Sequence, residues 1–433
     1  MKKEKFVIIS NDAMVYDDLE YLSHKFAFKR LMGEGSVVKT LRSIYPTVTY
    51  AVHTSMITGC YPDKTGVYNN ENDELCVKSS DWQWFRPSNK CKTLLDAAKE
   101  KGLTTANVFW PVTGSDKSID YNVAEYWTQT KEETIFDAFK RAGSSERVID
   151  EIIRPCSHYL IGKERRHPYA DDFVFACGEA MIKKYRPDVI VMHPAGIDVL
   201  RHSTGVFSDR VNDMLDHTAL WTQRIIEAVE EIGEAENTNF IITSDHGQID
   251  VSRWAMPNVE LRRRGFIRTD ANDVITDYDA FIKGVGCCAL VYLKDESDKK
   301  TYKAVYDALK EMRDSGLYGF TEVFTREEIA EKEHLSGPFS FVLETDGYTS
   351  FGSEWTGSII HQRDITDYRG GAASHGYLPD KGAQPTLIAC GPSFKKGVTV
   401  DRRPIVDLAP TIAKAMGVDL ADADGKPIDE ILL

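Results

Sequence analysis

Residues 240–247 read Phe240-Ile241-Ile242-Thr243-Ser244-Asp245-His246-Gly247. A short apolar run without polar alternation fits a strand covered on both faces, and this one empties into side chains that bind metals and protons. The same arrangement recurs along the chain. Candidate buried strands are Phe6–Ser10, Thr104–Phe109, Asp188–Met192, Phe240–Thr243 and Thr386–Ala389. Longer helical patterns separate them: Thr93–Lys101, Ala170–Tyr185, Val206–Ile232 and Ile405–Met416. In the third, Val211, Met214, Leu215, Ala219, Ile225, Ile226, Val229 and Ile232 recur at helical spacing, and Gly233 is placed to end it. Strands alternating with helices imply an α/β fold, a mainly parallel central sheet flanked by helices. Between Ile249 and Gly370 the rhythm changes. Strand-like Cys288–Leu293 and Phe339–Leu343 surround a helical Lys299–Arg313, so 251–370 reads as an inserted smaller α+β sub-domain. The catalytic core is then 1–250 together with 371–433.

The chain has 433 residues, 42% of them hydrophobic and 28% charged, enough for a substantial core and unlike a disordered polymer. Lys and Arg number 53 against 67 Asp and Glu, a formal net charge of −14, which argues against a nucleic-acid polymer as partner. A small phosphorylated substrate stays open, because bound cations supply positive charge locally. Eight scattered cysteines without a CxxC pair fit free thiols in a reducing compartment. The apolar run near the N-terminus, Phe6 to Ile9, is too short for a signal core or a membrane span. A cytoplasmic location is expected.

Five places carry the chemistry. Phe6–Ser10 runs into Asp12. Asp188–Met192 runs into His193-Pro194-Ala195-Gly196-Ile197-Asp198, with His202 four residues beyond Asp198. Asp245 and His246 follow Phe240–Thr243, His375 lies among small residues, and Thr49 precedes a helical pattern over Ala51–Ile57. Taken singly, each has a plain structural explanation. Asp12 and Thr49 could cap helices, Asp198 and His202 could form a surface pair, and Asp-His-Gly could shape a turn. Taken together, three Asp and three His at the carboxyl edge of one sheet match the needs of two divalent cations. Zinc suits this donor mix best. A hydroxyl at a helix start beside such a cluster is placed to act as an activated nucleophile.

With these motifs in order, the chain resembles the alkaline phosphatase superfamily in its nucleotide pyrophosphatase/phosphodiesterase branch. The resemblance rests on Asp12, Pro46-Thr47-Val48-Thr49, Gly59-Cys60-Tyr61-Pro62-Asp63-Lys64-Thr65-Gly66, Phe109-Trp110-Pro111, the Asp198/His202 pair, Ser244–Gly247, His375 and the tail Val406–Val418. It implies an alkaline-phosphatase-like sheet and a threonine nucleophile, Thr49. One zinc would be held by Asp198, His202 and His375. The other would be held by Asp12, Asp245 and His246, with the Thr49 oxygen completing its set. Asn70 would bind a phosphoryl oxygen, and Tyr50 would flank the leaving group or base.

The chain also departs from the family. Ala51-Val52-His53 stands where Pro-Asn-His is usual, Thr65 stands for a histidine, and Arg201 stands for a glycine before His202. Val52 and Arg201 are expected near the pocket, Arg201 either meeting substrate or lying on the surface. The implied reaction is hydrolysis of phosphodiester or pyrophosphate bonds in nucleotide-like substrates through a covalent threonine intermediate. From Tyr45 to Gly59 there is no Lys or Arg, which favours a singly charged phosphoryl group over a dianion. Phosphonoacetate hydrolase-like cleavage of a C–P bond and phosphomonoester hydrolysis are the alternatives on the same fold. An inactive metal-stabilised binding protein is the alternative from another class. The pattern leaves the oligomeric state open.

Overall fold

β1 (Lys5–Ser10) sends alternate side chains into two cores. Phe6 and Ile8 join one and Val7 and Ile9 the other, with Val189, Val191 and Ile241 on the first side and Ile190, Met192 and Ile242 on the second. Strands covered on both faces have no polar side, which is why their sequences read as unbroken apolar runs. The computed structural model describes residues 3–77, 80–364 and 371–433.

The central sheet has eight strands. Besides β1 they are β2 (Ser36–Arg42), β3 (Thr105–Val108), β4 (Tyr121–Val123), β5 (Val189–Met192), β6 (Thr238–Thr243), Leu387–Cys390 and Thr399–Pro404. Their spatial order is Thr399–Pro404, β2, Leu387–Cys390, β6, β1, β5, β3, β4. Pairing is parallel throughout except at Leu387–Cys390, which runs antiparallel to both β6 and β2. Helices Tyr169–Tyr185 and Asp209–Glu231 cover one face through Phe173, Met181, Leu215 and Ile225. Helices Thr49–Thr58, Leu94–Glu100 and Leu408–Met416 cover the other through Ala51, Met56, Leu95 and Ile412. The mainly parallel α/β architecture expected from the sequence is the one observed.

Some elements differ from expectation. The pattern expected over Val206–Ile232 starts at Asp209, because the Ser208 side chain accepts the Val211 N–H and caps the helix there. A separate helix, Gly196–Thr204, precedes it and carries Asp198 and His202. The stretch read as a strand–helix unit holds a four-stranded antiparallel sheet, in the order Ala280–Val285, Cys288–Leu293, Phe341–Thr345, Phe320–Thr325. Helix Lys299–Asp314 closes it through Val305, Leu309 and Met312, forming a third core. The expected end of this insertion, at 370, lies outside the described residues.

One hairpin of the second sheet reaches the segment that carries His375. Its tip, Gly286 at φ 63°, touches the His375 segment, and the Cys287 N–H donates to the His375 carbonyl at 2.7 Å. All eight cysteines are free thiols. No described helix is long and apolar enough to cross a membrane.

Candidate metal centre and active site

The loops leaving β1, β5 and β6 converge with the His375 segment to form two side-chain clusters. In the first, Asp198, His202 and His375 bring one donor atom each within 4.8 Å of the others. His202 and His375 both turn Nδ1 to backbone carbonyls, Ala373 at 2.7 Å and Thr47 at 2.8 Å. Those carbonyls only accept, so each Nδ1 carries the proton and each Nε2 lone pair is left for the cluster. Gln248 donates to both the carboxylate and the carbonyl of Asp198. Burial raises the Asp198 pKa, but His202, His375 and His246 outweigh it, and the carboxyl stays below its ordinary range.

The second cluster is Asp12, Asp245 and His246. His246 Nε2 lies 3.5 Å from Asp12 Oδ1 and 3.2 Å from Asp245 Oδ2. Both of those carboxylate oxygens are buried without a hydrogen-bond partner. Burial first, and then the neighbouring Asp245 and Asp198 carboxylates, push the Asp12 pKa well up. The His246 ring is held neutral by burial and by His375, which stacks on it at 3.9 Å. Buried carboxylates that repel one another, beside imidazoles that turn Nε2 toward them, have the donor chemistry of a cation site. The residues present fit divalent cations.

Thr49 sits between these clusters. The sequence suggested a cap, but Val48 is the extended N-cap residue and Thr49 is the first residue of its helix. Its Oγ1 is 3.3 Å from His246 Nε2. Asn70 accepts the Tyr50 N–H through Oδ1 at 2.8 Å, which leaves its amide NH₂ as a donor. Tyr50 donates its hydroxyl to Glu125 at 2.9 Å and meets Trp82 edge-on at 5.1 Å. Thr49, Tyr50, Asn70, Asp12, Asp198, His202 and His375 all line one cavity of about 400 Å³. Asp245 and His246 lie behind its wall, fully buried.

Three expectations fail. Arg201 neither meets the cavity nor lies on the surface. It is fully buried, and its Nη2 donates to both Asp18 carboxylate oxygens, at 2.6 and 2.7 Å, tying helix Gly196–Thr204 to the short helix Asp18–Leu22. Val52 packs in the apolar core and does not line the cavity. His375 follows no strand of the central sheet either. Its preceding strand, Ala373–Ser374, pairs with Ile249–Asp250 in a separate ribbon.

Several site residues went unassigned from the sequence. His193 bonds Asp12 at 3.1 Å, and its place straight after β5 was the available signal. His53 joins Thr49 O to Ser10 Oγ, both at 2.9 Å, and so braces the start of helix Thr49–Thr58 on β1. Trp82, Trp84, Glu125, Trp127, Arg165 and His167 complete the cavity wall, brought in by loops with no local signature.

Comparison with known proteins places this geometry. The sequence model of type I phosphodiesterase / nucleotide pyrophosphatase matches residues 6–378. Human ectonucleotide pyrophosphatase/phosphodiesterase family member 1 is 24% identical over 223 residues, 49% of this chain and 20% of that protein's own length. Family member 7 of Rattus norvegicus is 20% identical over 407 residues, 91% of this chain and 79% of that protein. The chain thus matches only a fifth of the human relative, and 48% of a Saccharomyces cerevisiae relative. Murine ectonucleotide pyrophosphatase/phosphodiesterase 5 superposes with a TM-score of 0.66 at 18% identity, over 98% of each chain, which shows a shared fold. An inactive variant of that murine protein, in complex with AMP, superposes with the same TM-score over 100% of each chain. The protein belongs to the type I phosphodiesterase/nucleotide pyrophosphatase family.

Proposed function

We propose that the protein is a metal-dependent hydrolase of phosphodiester or pyrophosphate bonds in nucleotide-like substrates, with Thr49 as nucleophile. One observation carries this reading. Thr49 Oγ1 stands at a helix start, against His246, facing a cavity that also exposes Asp12, Asp198, His202 and His375. Family membership and the AMP complex of the murine neighbour support a nucleotide-like substrate.

Asp198, His202 and His375 would hold one divalent cation and Asp12, Asp245 and His246 the other, with zinc favoured by the donors and Thr49 Oγ1 completing the second set. When bound, the cations would supply Lewis acidity, lowering the pKa of the Thr49 hydroxyl and neutralising charge on the phosphoryl and leaving oxygens. The chain's own residues do the rest. Thr49 Oγ1 at the helix start gives up its proton to solvent and attacks phosphorus. The Oγ1–P bond forms as the bond to the leaving oxygen breaks. Asn70 is oriented by its bond to the Tyr50 N–H, so its NH₂ can hold a phosphoryl oxygen as charge moves. The Tyr50 ring, fixed by Glu125, offers an apolar face to the substrate arm. Water then cleaves the threonine ester and restores Thr49.

A diester is favoured over a monoester at Thr49 because no Lys or Arg lies between Tyr45 and Gly59, Arg201 is buried against Asp18, and the guanidinium that does line the cavity, Arg165, rests over Trp127 on another wall segment. The test is turnover by metal-loaded protein of a nucleoside 5′-p-nitrophenyl phosphate, p-nitrophenyl phosphate and phosphonoacetate, before and after chelation. Fastest turnover of the nucleotide diester, lost on chelation and restored by zinc, is expected. A monoester or phosphonoacetate preference would replace the diesterase reading, and bound metal without turnover would leave a binding protein.

A further inference from the structure

The reaction above leaves one buried ion pair on the cavity wall without a task. His167 precedes helix Tyr169–Tyr185 and places Nδ1 2.5 Å from Asp171 Oδ2. The other Asp171 oxygen accepts the N–H groups of Ala195 and Gly196 at 2.8 and 2.9 Å. That turn starts the helix bearing Asp198 and His202, so the pair is braced on the same backbone as the first cluster. His167 lines the cavity, its side chain is 11% exposed, and its Nε2 has no hydrogen-bond partner among the described residues. Arg165, two residues earlier, lines the same cavity. Its guanidinium rests over the Trp127 ring at 5.5 Å and makes no hydrogen bond or ion pair among the described residues.

The other charged wall residue outside the two clusters is Glu125, and the Tyr50 hydroxyl engages it. One phosphoryl group is fully served by Thr49, Asn70 and the two clusters. A second anion is the group that engages a braced imidazole and an unpaired guanidinium together through charge-assisted hydrogen bonds. Resting on the nucleotide-hydrolase reading, we propose that Arg165 and His167 form a subsite for a second anionic group of the substrate, the further phosphate of a nucleoside polyphosphate or pyrophosphate-linked nucleotide.

Electrostatics agree with this geometry. Burial would push the His167 pKa down, but the Asp171 carboxylate, hydrogen-bonded to the ring, outweighs burial and lifts it above the ordinary histidine value. With Nδ1–H committed to Asp171, the second proton of the imidazolium sits on Nε2 as a donor to the anion. Asp171 is the positioning residue. Its carboxylate fixes the ring while its second oxygen is held by backbone.

The test compares two ligands that differ by one phosphate. In metal-loaded Thr49→Ala protein, which removes the nucleophile, AMP and ADP affinities are measured by calorimetry with and without His167→Gln or Arg165→Ala. Each substitution is expected to weaken ADP about tenfold more than AMP, the size of one charge-assisted contact. Arg165 is exposed, so its variant keeps the test valid if His167→Gln proves unstable. Equal weakening of both ligands, or no weakening of ADP, would overturn the subsite and leave the hydrolase reading standing. Failure of the parent Thr49→Ala protein to bind either nucleotide would overturn the nucleotide reading and the subsite with it.

Discussion

Gly286 lies against the backbone of His375: a Cβ on Gly286 would stand 2.1 Å from the His375 carbonyl oxygen. The second sheet thus buttresses a candidate ligand of the first cluster through a hairpin tip that tolerates no side chain. Gly286 is also at φ 63°, so Gly286→Ala adds backbone strain to the clash. The strain costs about 1–3 kcal/mol, and the clash moves His375 as well. A lower melting temperature and metal content below that of the parent protein are expected. Gly347 has φ 92° with nothing within 4 Å, so Gly347→Ala is a control that carries strain alone and keeps its metal.

Arg201→Ala should destabilise without altering substrate preference. Removing the guanidinium strands Asp18, which is 4% exposed, and breaking a buried pair from one side costs about 3–5 kcal/mol. Denaturant midpoints check the stability. The diester-to-monoester ratio of kcat/KM checks the second half, and a shift in that ratio would put Arg201 back in contact with substrate.

His53 sets a pH dependence. Burial foremost, and then His193, push its pKa from 6.5 to about 3. The unfolded chain takes up that proton near the ordinary value while the folded chain resists it. The stabilising contribution is therefore complete above the ordinary value and is lost as pH falls toward the folded one. Stability by urea denaturation should decline between about pH 7 and about pH 4, and His53→Gln should flatten the slope. An unchanged slope in the variant would mean that other groups set the acid limit.

Sequence pattern exposed the central sheet because β1, β5 and β6 are apolar on both faces. It missed Thr399–Pro404, whose residues Thr399, Asp401, Arg402 and Arg403 are polar and which occupies the sheet's edge, where hydrogen bonding to β2 alone defines the strand. The seven candidate metal-site residues were visible because six are Asp or His and most follow strands directly. Their neighbours were not. Arg201 read as surface or substrate-binding because its partner, Asp18, is 183 positions away. Glu125 and His167 reach the cavity from loops whose paths depend on tertiary packing. The contact between Gly286 and His375 joins the second sheet to the segment carrying a candidate ligand, and no local periodicity encodes it.

The two clusters should fail separately. Asp245→Asn removes a charge from the second cluster, and His375→Ala removes a donor from the first. Each should lower bound metal, read by elemental analysis, with affinity falling by about tenfold or more. Full occupancy in both variants would mean that the cations bind elsewhere.

The central claim is that Thr49 forms a covalent ester during phosphodiester cleavage. Thr49→Ala should lose turnover about a thousandfold or more while the fold persists. Its stability should change by less than about 1 kcal/mol, because the residue opens the helix and does not cap it. The most direct measurement is the stereochemical course at phosphorus, read by NMR on an isotopically chiral nucleotide phosphodiester hydrolysed by metal-loaded protein. Two successive in-line displacements give retention of configuration, the result expected with Thr49 as nucleophile. Inversion would show direct attack by water and contradict the covalent route.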